Sequence, residues 1–221
     1  MFSVFETAVA QTGLSEKEAK DQGYDVAVCY NIKPNKPKYM NGSEMVIKGV
    51  ADKKTSCLLG VQIIGQDGVD KRIDVFATAI SFKAKVSDLF HLDLSYAPPF
   101  STTKDPVAYT GMILDNEINN GRKLITQSEL DLLMESGKRY ELIDTREKEQ
   151  YNKKHIKTAR NIPLRDLRSE LEKLDRNVIT VTYCNKGITG NAAQNILIGK
   201  GFKKVYNLSG GISHYMKAHG E

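Results

Sequence analysis

The sequence predicts an α+β unit in residues 1–118, followed by a small α/β domain with a parallel sheet in residues 123–221. Three observations lead there. In the first part, strand-like runs come before the clearest helical periodicity. In the second, strand and helix alternate throughout. Between them, Asn119-Asn120-Gly121 marks a turn within a linker expected over Asn116 to Lys123. A chain of 221 residues is long enough for two small domains.

The elements follow in chain order. Phe2 to Ala10 alternates as a strand does. Ser15 followed three residues later by Glu18 is a capping box and starts a short helix. Tyr24 to Ile32 and Met45 to Val50 read as strands, separated by the basic, turn-rich Lys33-Pro34-Asn35-Lys36-Pro37-Lys38. Leu58 to Ile64 is an apolar run short enough for a buried strand. From Val69, apolar residues recur at helical spacing through Ile73, Phe76, Ala77 and Ile80.

After the linker, Thr126 and Glu129 form a second capping box ahead of Leu130, Leu133 and Met134. Tyr140 to Ile143 is a short strand ending at Asp144. Pro163 suits the first position of a helix carrying Leu164, Leu167, Leu171 and Leu174 on one face. Val178 to Tyr183 is a β-branched strand, Asn191 to Lys200 a helix closed by Gly201, and Val205-Tyr206 a last strand.

Composition narrows the function. Hydrophobic residues make up 40% and charged residues 27%, the mix of a packed soluble protein. No apolar run approaches the ~20 residues that span a bilayer, and the N-terminus lacks the pattern of a signal peptide. The formal net charge of +5 suits an anionic substrate and is too weak to argue for nucleic acid. Cys29, Cys57 and Cys184 are too few and too widely spaced for a disulfide framework. A reducing cytoplasm is the expected setting, and no His/Cys spacing suits zinc. Cys29 and Cys57 lie in strand-like apolar surroundings and are expected to pack. His155 is expected to be structural, and Lys153-Lys154 to be a solvated face.

Cys184 stands apart. It follows directly on a strand of the expected parallel sheet, where ligands of such sheets bind. Asn185-Lys186-Gly187-Ile188-Thr189-Gly190 then leads into a helix. A tight loop at a helix N-terminus turns backbone N–H groups inward, cradles anions and favours a thiolate. Gly187 and Gly190 allow the positive φ such a loop needs. Lys186 adds a cation and Thr189 a hydroxyl donor. These groups suit a nucleophile that takes up a sulfane sulfur and holds it as a persulfide.

Here the residues resemble the rhodanese family. Cys184 to Thr189 is similar to its active-site loop, Leu142-Ile143-Asp144-Thr145-Arg146-Glu147 to its Asp-x-Arg strand end, and His155 to Pro163 to its His-Ile-x-x-Ala-x-Asn-Ile-Pro segment. Leu208-Ser209-Gly210-Gly211 is similar to its C-terminal Gly-Gly turn. Four motifs in the right order make a strong signal. The resemblance implies that Cys184 is the nucleophile, that Asn185, Lys186, Gly187, Ile188, Thr189 and Gly190 bind substrate, and that Asp144 and Arg146 support the site. Lys154, Tyr215 and Asn185 stand where the family commonly has Gly, Trp and Arg. A related phosphatase would need Arg at position 190, which is Gly.

The first part has its own resemblance. Leu59 to Gly65, Gly68 to Asp74, Leu94 to Ser101 and Lys104-Asp105-Pro106-Val107 are similar to the dimerisation domain of flavin-dependent pyridine nucleotide–disulfide oxidoreductases, especially coenzyme A disulfide or persulfide reductases with a C-terminal rhodanese domain. In that family the domain follows two others that carry FAD, NAD(P)H and a redox cysteine. No Gly-x-Gly-x-x-Gly follows a strand here, so no cofactor is expected in this chain itself. The chain reads as the C-terminal part of such an enzyme, or as a natural protein without the flavin core. The resemblance implies a homodimer in which Tyr96, and with it Tyr39 in Tyr39-Met40-Asn41-Gly42, reaches the partner's thiol site. Thiosulfate, polysulfide or coenzyme A persulfide are the implied sulfur donors. The alternative is a non-catalytic module that dimerises and docks.

Overall fold

The computed structural model describes residues 1–220, which divide into a unit over Met1–Gly121 and a second from Arg122 onward. The first unit is a five-stranded antiparallel sheet covered by helices. Its strands are β1 (Phe2–Val4), β2 (Thr7–Gly13), β3 (Val26–Pro34), β4 (Glu44–Asp52) and β5 (Leu58–Gly65), in the order β1-β2-β5-β4-β3. The alternating run expected from Phe2 to Ala10 is a hairpin: Phe5 takes φ +52 at its turn, and Phe2 pairs with Val9. Helix α1 (Glu16–Asp21) starts at Ser15, whose side chain accepts the Glu18 N–H, while the Glu18 carboxylate accepts the Ser15 N–H at 2.7 Å.

Helix α2 (Val69–Ser81) buries Val69, Arg72, Ile73, Phe76 and Ala79, the three-and-four spacing of one face. Helix α3 (Pro106–Asn119) has Asp105 at its N-cap and Pro at its first position. It runs through residues expected to form the linker, so Asn116 to Asn119 are helical and only the following residues turn. The reason lies in packing. Val107, Thr110, Gly111 and Leu114 form a buried stripe whose small residues weaken the sequence periodicity.

The second unit is a parallel sheet of β6 (Leu124–Ile125), β7 (Tyr140–Asp144), β8 (Arg160–Asn161), β9 (Ile179–Tyr183) and β10 (Lys204–Leu208), in the order β6-β10-β9-β7-β8. Both faces are covered. Leu142, Val181, Tyr183 and Leu208 pack on one side with Leu130 of α4 (Gln127–Glu135) and Ile212 of α8 (Gly211–Ala218). Ile143 and Val205 pack on the other with Leu167 of α6 (Leu167–Glu170) and with Ala193 and Leu197 of α7 (Ile188–Gly199). Successive strand residues go to opposite faces, which is why these strands read as continuous apolar runs. The Thr126–Glu129 capping box is present at α4.

The helix expected from Pro163 is shorter. Pro163 sits in a turn, its carbonyl accepting the Asp166 N–H at 2.8 Å, and α6 has four residues before a 3-10 turn over Leu171–Lys173. Leu167, Leu171 and Leu174 are still buried together, so the apolar spacing reports a shared core rather than one continuous helix. Helix α7 begins three residues before the expected Asn191. Helix α5 (Lys148–Lys153) buries none of its residues and carries no apolar stripe to announce it.

Candidate active site

Strand β9 ends at Tyr183, and the chain turns through Cys184 to Gly187 before entering α7. Gly187, the N-cap, takes φ +97, a conformation that glycine adopts without a Cβ penalty. Its N–H donates to Cys184 Sγ at 3.2 Å. Cys184 is 5% exposed. The first N–H groups of α7 follow, the donors that an α-helix leaves without intrahelical acceptors. The helix dipole places partial positive charge at the same end. The Cys184 sulfur therefore accepts one loop N–H at a helix end that favours negative charge.

The loop is gripped from three sides. From α8, Ile212 N–H donates to the Cys184 carbonyl at 2.9 Å and Ser213 N–H to the Asn185 carbonyl at 3.0 Å. The approach is close enough that a Cβ on Gly211 would stand 2.4 Å from the Cys184 carbonyl oxygen, and Gly211 takes φ +58. That explains the second glycine of the Gly-Gly turn. From the end of β7, Thr145 donates through both its N–H and its hydroxyl to the Tyr183 carbonyl, each at 2.9 Å, and its hydroxyl lies 3.2 Å from that of Thr189. From β10, Asn207 Nδ2 donates to the Gly187 carbonyl at 3.1 Å.

Under the loop lies a buried ion pair. Arg146 Nη2 donates to Asp144 Oδ2 at 2.6 Å, and Arg146 Nε lies 3.0 Å from Oδ1. A second Nη2 bond reaches the Lys154 carbonyl at 2.7 Å, and Nη1 reaches Asn185 Oδ1 at 3.3 Å. Burial outweighs its other influences on the Arg146 pKa individually, yet the Asp144 carboxylate and the Tyr183 hydroxyl together raise it. Tyr183, wholly buried beneath Cys184, is held protonated: burial first, then the Asp144 charge, pushes its phenol far above the ordinary range. Its oxygen accepts the Ile156 N–H at 3.2 Å.

The structure therefore brings Cys184, Asn185, Gly187, Thr189, Asp144 and Arg146 into one network. Lys186 is half-buried in the same loop, and Ile188 and Thr189 are exposed. Gly190 is buried inside α7 and, against expectation, takes no positive φ; glycine is needed there because a Cβ would stand 2.3 Å from Asn207 Oδ1. Thr145, Tyr183 and Asn207 carry the loop without having been singled out from sequence. Thr145 lay inside the Asp-x-Arg motif and Tyr183 next to the cysteine; Asn207 had no sequence signal. His155 stacks on Tyr151 with ring centroids 4.0 Å apart and lies 3.0 Å from the Tyr151 carbonyl, a structural placement. Lys153 and Lys154 are exposed. Tyr215 donates to Asp131 Oδ1 at 2.9 Å and ties α8 to α4. Among the described residues no group of three or more His, Cys, Asp or Glu could hold a metal.

In the first unit, Tyr96 is half exposed and lines a cavity of about 550 Å³ with Lys36, Lys71, Arg72 and Phe100. Tyr39 is 75% exposed in a 3-10 turn over Lys38–Met40 and is not among the residues lining that cavity. Cys29 is buried, and burial pushes its thiol up to about 12. Cys57 is only half-buried, where Leu58 to Ile64 had promised a core position. It precedes β5 in an isolated bridge to Lys85.

Residues 126–218 match the rhodanese-like domain model. Over 78 residues the chain is 33% identical to the thiosulfate sulfurtransferase GlpE of Coxiella burnetii, covering 72% of that protein and 35% of this one. The chain belongs to the rhodanese family through its second unit. Residues 2–106 match the dimerisation domain of pyridine nucleotide-disulphide oxidoreductases. Over 107 residues, 48% of this chain, it is 39% identical to the NAD(P)H coenzyme A polysulfide/persulfide reductase of Pyrococcus horikoshii. The crystal structure of reduced Bacillus anthracis CoADR-RHD superposes with a TM-score of 0.90 at 37% identity, covering 97% of this chain and 38% of that one. The chain thus joins a dimerisation domain to a rhodanese domain and spans 24% of the Pyrococcus relative.

Relatives of this kind carry flavin and nicotinamide cofactors by the family resemblance. In the first unit one glycine stands where a pyrophosphate cradle would need it. The loop between β5 and α2 has a glycine-helix junction at Gly68, but Arg72 fills it: a Cβ on Gly68 would stand 2.3 Å from Arg72 Nη1. The Arg72 donors are taken by Gly68, Asn35, Ser101 and Asp105. A pyrophosphate has no cradle there. Among the described residues no helix is long and apolar enough to cross a membrane.

Proposed function

We propose that this protein is a sulfurtransferase whose Cys184 carries sulfane sulfur as a persulfide. The observation that carries the reading is the Gly187 N–H on Cys184 Sγ at 3.2 Å, at the mouth of a loop that opens on the N-terminus of α7. With thiosulfate, the Cys184 thiolate attacks the outer sulfur. A bond forms between Sγ and that sulfur, the S–S bond to the sulfonate sulfur breaks, and its electron pair leaves with sulfite. Cyanide then attacks the outer persulfide sulfur. Thiocyanate leaves, and the pair of the broken S–S bond returns to Sγ as thiolate. Splitting the transfer in two gives ping-pong kinetics. Loop N–H groups stabilise the sulfur anions at both stages.

In a longer protein the loop would take sulfur from polysulfide or coenzyme A persulfide, the thiol chemistry of the flavin domain would be the acceptor with coenzyme A as carrier, and the first unit would make a homodimer. The Pyrococcus and Bacillus relatives support that placement. Three free thiols suit a reducing cytoplasm.

The test is intact mass after mixing reduced protein with thiosulfate and then cyanide, beside Cys184→Ala. The expected result is a gain of one sulfur, lost to cyanide and absent in the variant. No gain from thiosulfate, polysulfide or coenzyme A persulfide would overturn the reading and leave a docking module.

A further inference from the structure

We propose that Asn207 is a positioning residue for the sulfur cradle: by donating to the Gly187 carbonyl it holds the Gly187 N–H on Cys184. The proposal rests on Cys184 being the reactive sulfur, and it goes beyond that by assigning a residue on a different strand to set the geometry.

Asn207 lies on β10, opposite Thr182 of β9. Alternation sends Val205 and Asn207 to the face covered by α7, and Leu208 to the other. Val205 meets that face as an apolar residue. Asn207 meets it as an amide that is 5% exposed. An amide in such a place costs stability unless its hydrogen bonds are made. Only one of them is. Nδ2 donates to the Gly187 carbonyl at 3.1 Å, whereas Oδ1 is buried without a partner. A residue kept for packing alone would do better as a hydrocarbon of the same shape.

The space around the amide is shaped to it. A Cβ on Gly190 would stand 2.3 Å from Asn207 Oδ1, so glycine at 190 is what lets the amide reach Gly187. The Gly187 carbonyl accepts a second bond from Asn191 N–H at 2.9 Å. Two donors from different elements thus fix one carbonyl. Gly187 needs this. It has no Cβ to restrict its backbone, and it is the residue whose N–H must stay on the sulfur. Asn207 acts through Gly187 and does not itself contact Cys184.

The test is the rate of iodoacetamide alkylation at Cys184 in the full chain, read by peptide mass spectrometry from pH 5 to 9. Alkylation needs no sulfur donor, so a failure of persulfide loading leaves this measurement standing. Asn207→Asp keeps the shape but cannot donate when ionised. At pH 8 we expect alkylation about tenfold slower than wild type, the size of one hydrogen bond. As pH falls and the introduced carboxyl gains a proton it can donate again, so the variant-to-wild-type ratio climbs back toward one. Asn207→Ala should be slow at every pH. Gly190→Ala, which pushes the amide aside, should be slow too and serves if Asn207→Asp does not fold. Wild-type rates in the folded variants would overturn the proposal. So would a loss in Asn207→Asp that is the same at every pH, since a purely structural defect has no reason to reverse with protonation.

Discussion

Both units bury an arginine against an aspartate, and the two pairs serve different ends. In the first unit Arg72 Nη2 meets Asp105 Oδ2 at 2.9 Å and also reaches Ser101 Oγ and the Asn35 carbonyl, while Nη1 donates to the Gly68 carbonyl. Every partner is a piece of scaffold: the end of β3, the entry to α2 and the N-cap of α3. In the second unit Arg146 meets Asp144 in the same way, but it also reaches Asn185 in the cysteine loop. The first pair joins segments. The second joins the sheet to the place where chemistry is proposed. Buried ion pairs repay their desolvation only when every donor and acceptor is matched, so each arginine reports which parts of its unit must not move.

The largest effect expected is in the first unit. Arg72→Met leaves Asp105 buried and unpaired and should cost about 3–5 kcal/mol in urea unfolding. Alkylation of Cys184 in the remaining folded protein should match wild type; a large change there would erase the contrast between the pairs. Arg146→Lys comes next. Lysine cannot bridge Asp144, the Lys154 carbonyl and Asn185 from one planar fork. A loss of about 1.5–3 kcal/mol is expected, with slower Cys184 alkylation, the two moving together.

The cysteines of the two units should differ as well. Cys29, pushed up to about 12 by burial, should have about one part in ten thousand as thiolate at pH 8. Iodoacetamide should therefore modify Cys184 and leave Cys29 intact until the protein unfolds. A thiol raised above its ordinary value of 9.0 favours the folded state fully below that value. The advantage is lost as pH rises from there toward 12, by about 1.4 kcal/mol per pH unit. Cys29→Val should flatten that part of the alkaline stability curve. The smallest effects are the caps: Ser15→Ala and Thr126→Ala should each cost about 1 kcal/mol in thermal or urea unfolding, with no change in Cys184 alkylation.

Local signals were legible where one physical rule dominates. Both capping boxes stand where Ser15-x-x-Glu18 and Thr126-x-x-Glu129 put them, because a cap is satisfied within four residues. The three central strands of the second unit, β7, β9 and β10, read correctly because both their faces are buried, whereas the two-residue edge strands β6 and β8 are too short to leave a pattern. Pro163 misled because its fixed φ suits a turn as well as a helix start, and the leucines after it needed only a common core. Helix α3 was hidden by its own small residues, which pack closely and carry little hydrophobic contrast. The cysteine loop was legible because Cys, Lys, two Gly and Thr at that spacing leave few other uses.

By itself the sequence determined the two units, the cap positions and the loop that leads into α7, from patterns that each lie within a short stretch of chain. Tertiary structure alone decided what holds that loop. Asn207 lies 20 residues beyond Gly187 and Arg146 lies 39 before Asn185. They meet because parallel strands place their carboxyl ends side by side, and that register is set by the whole buried sheet rather than by any segment of it.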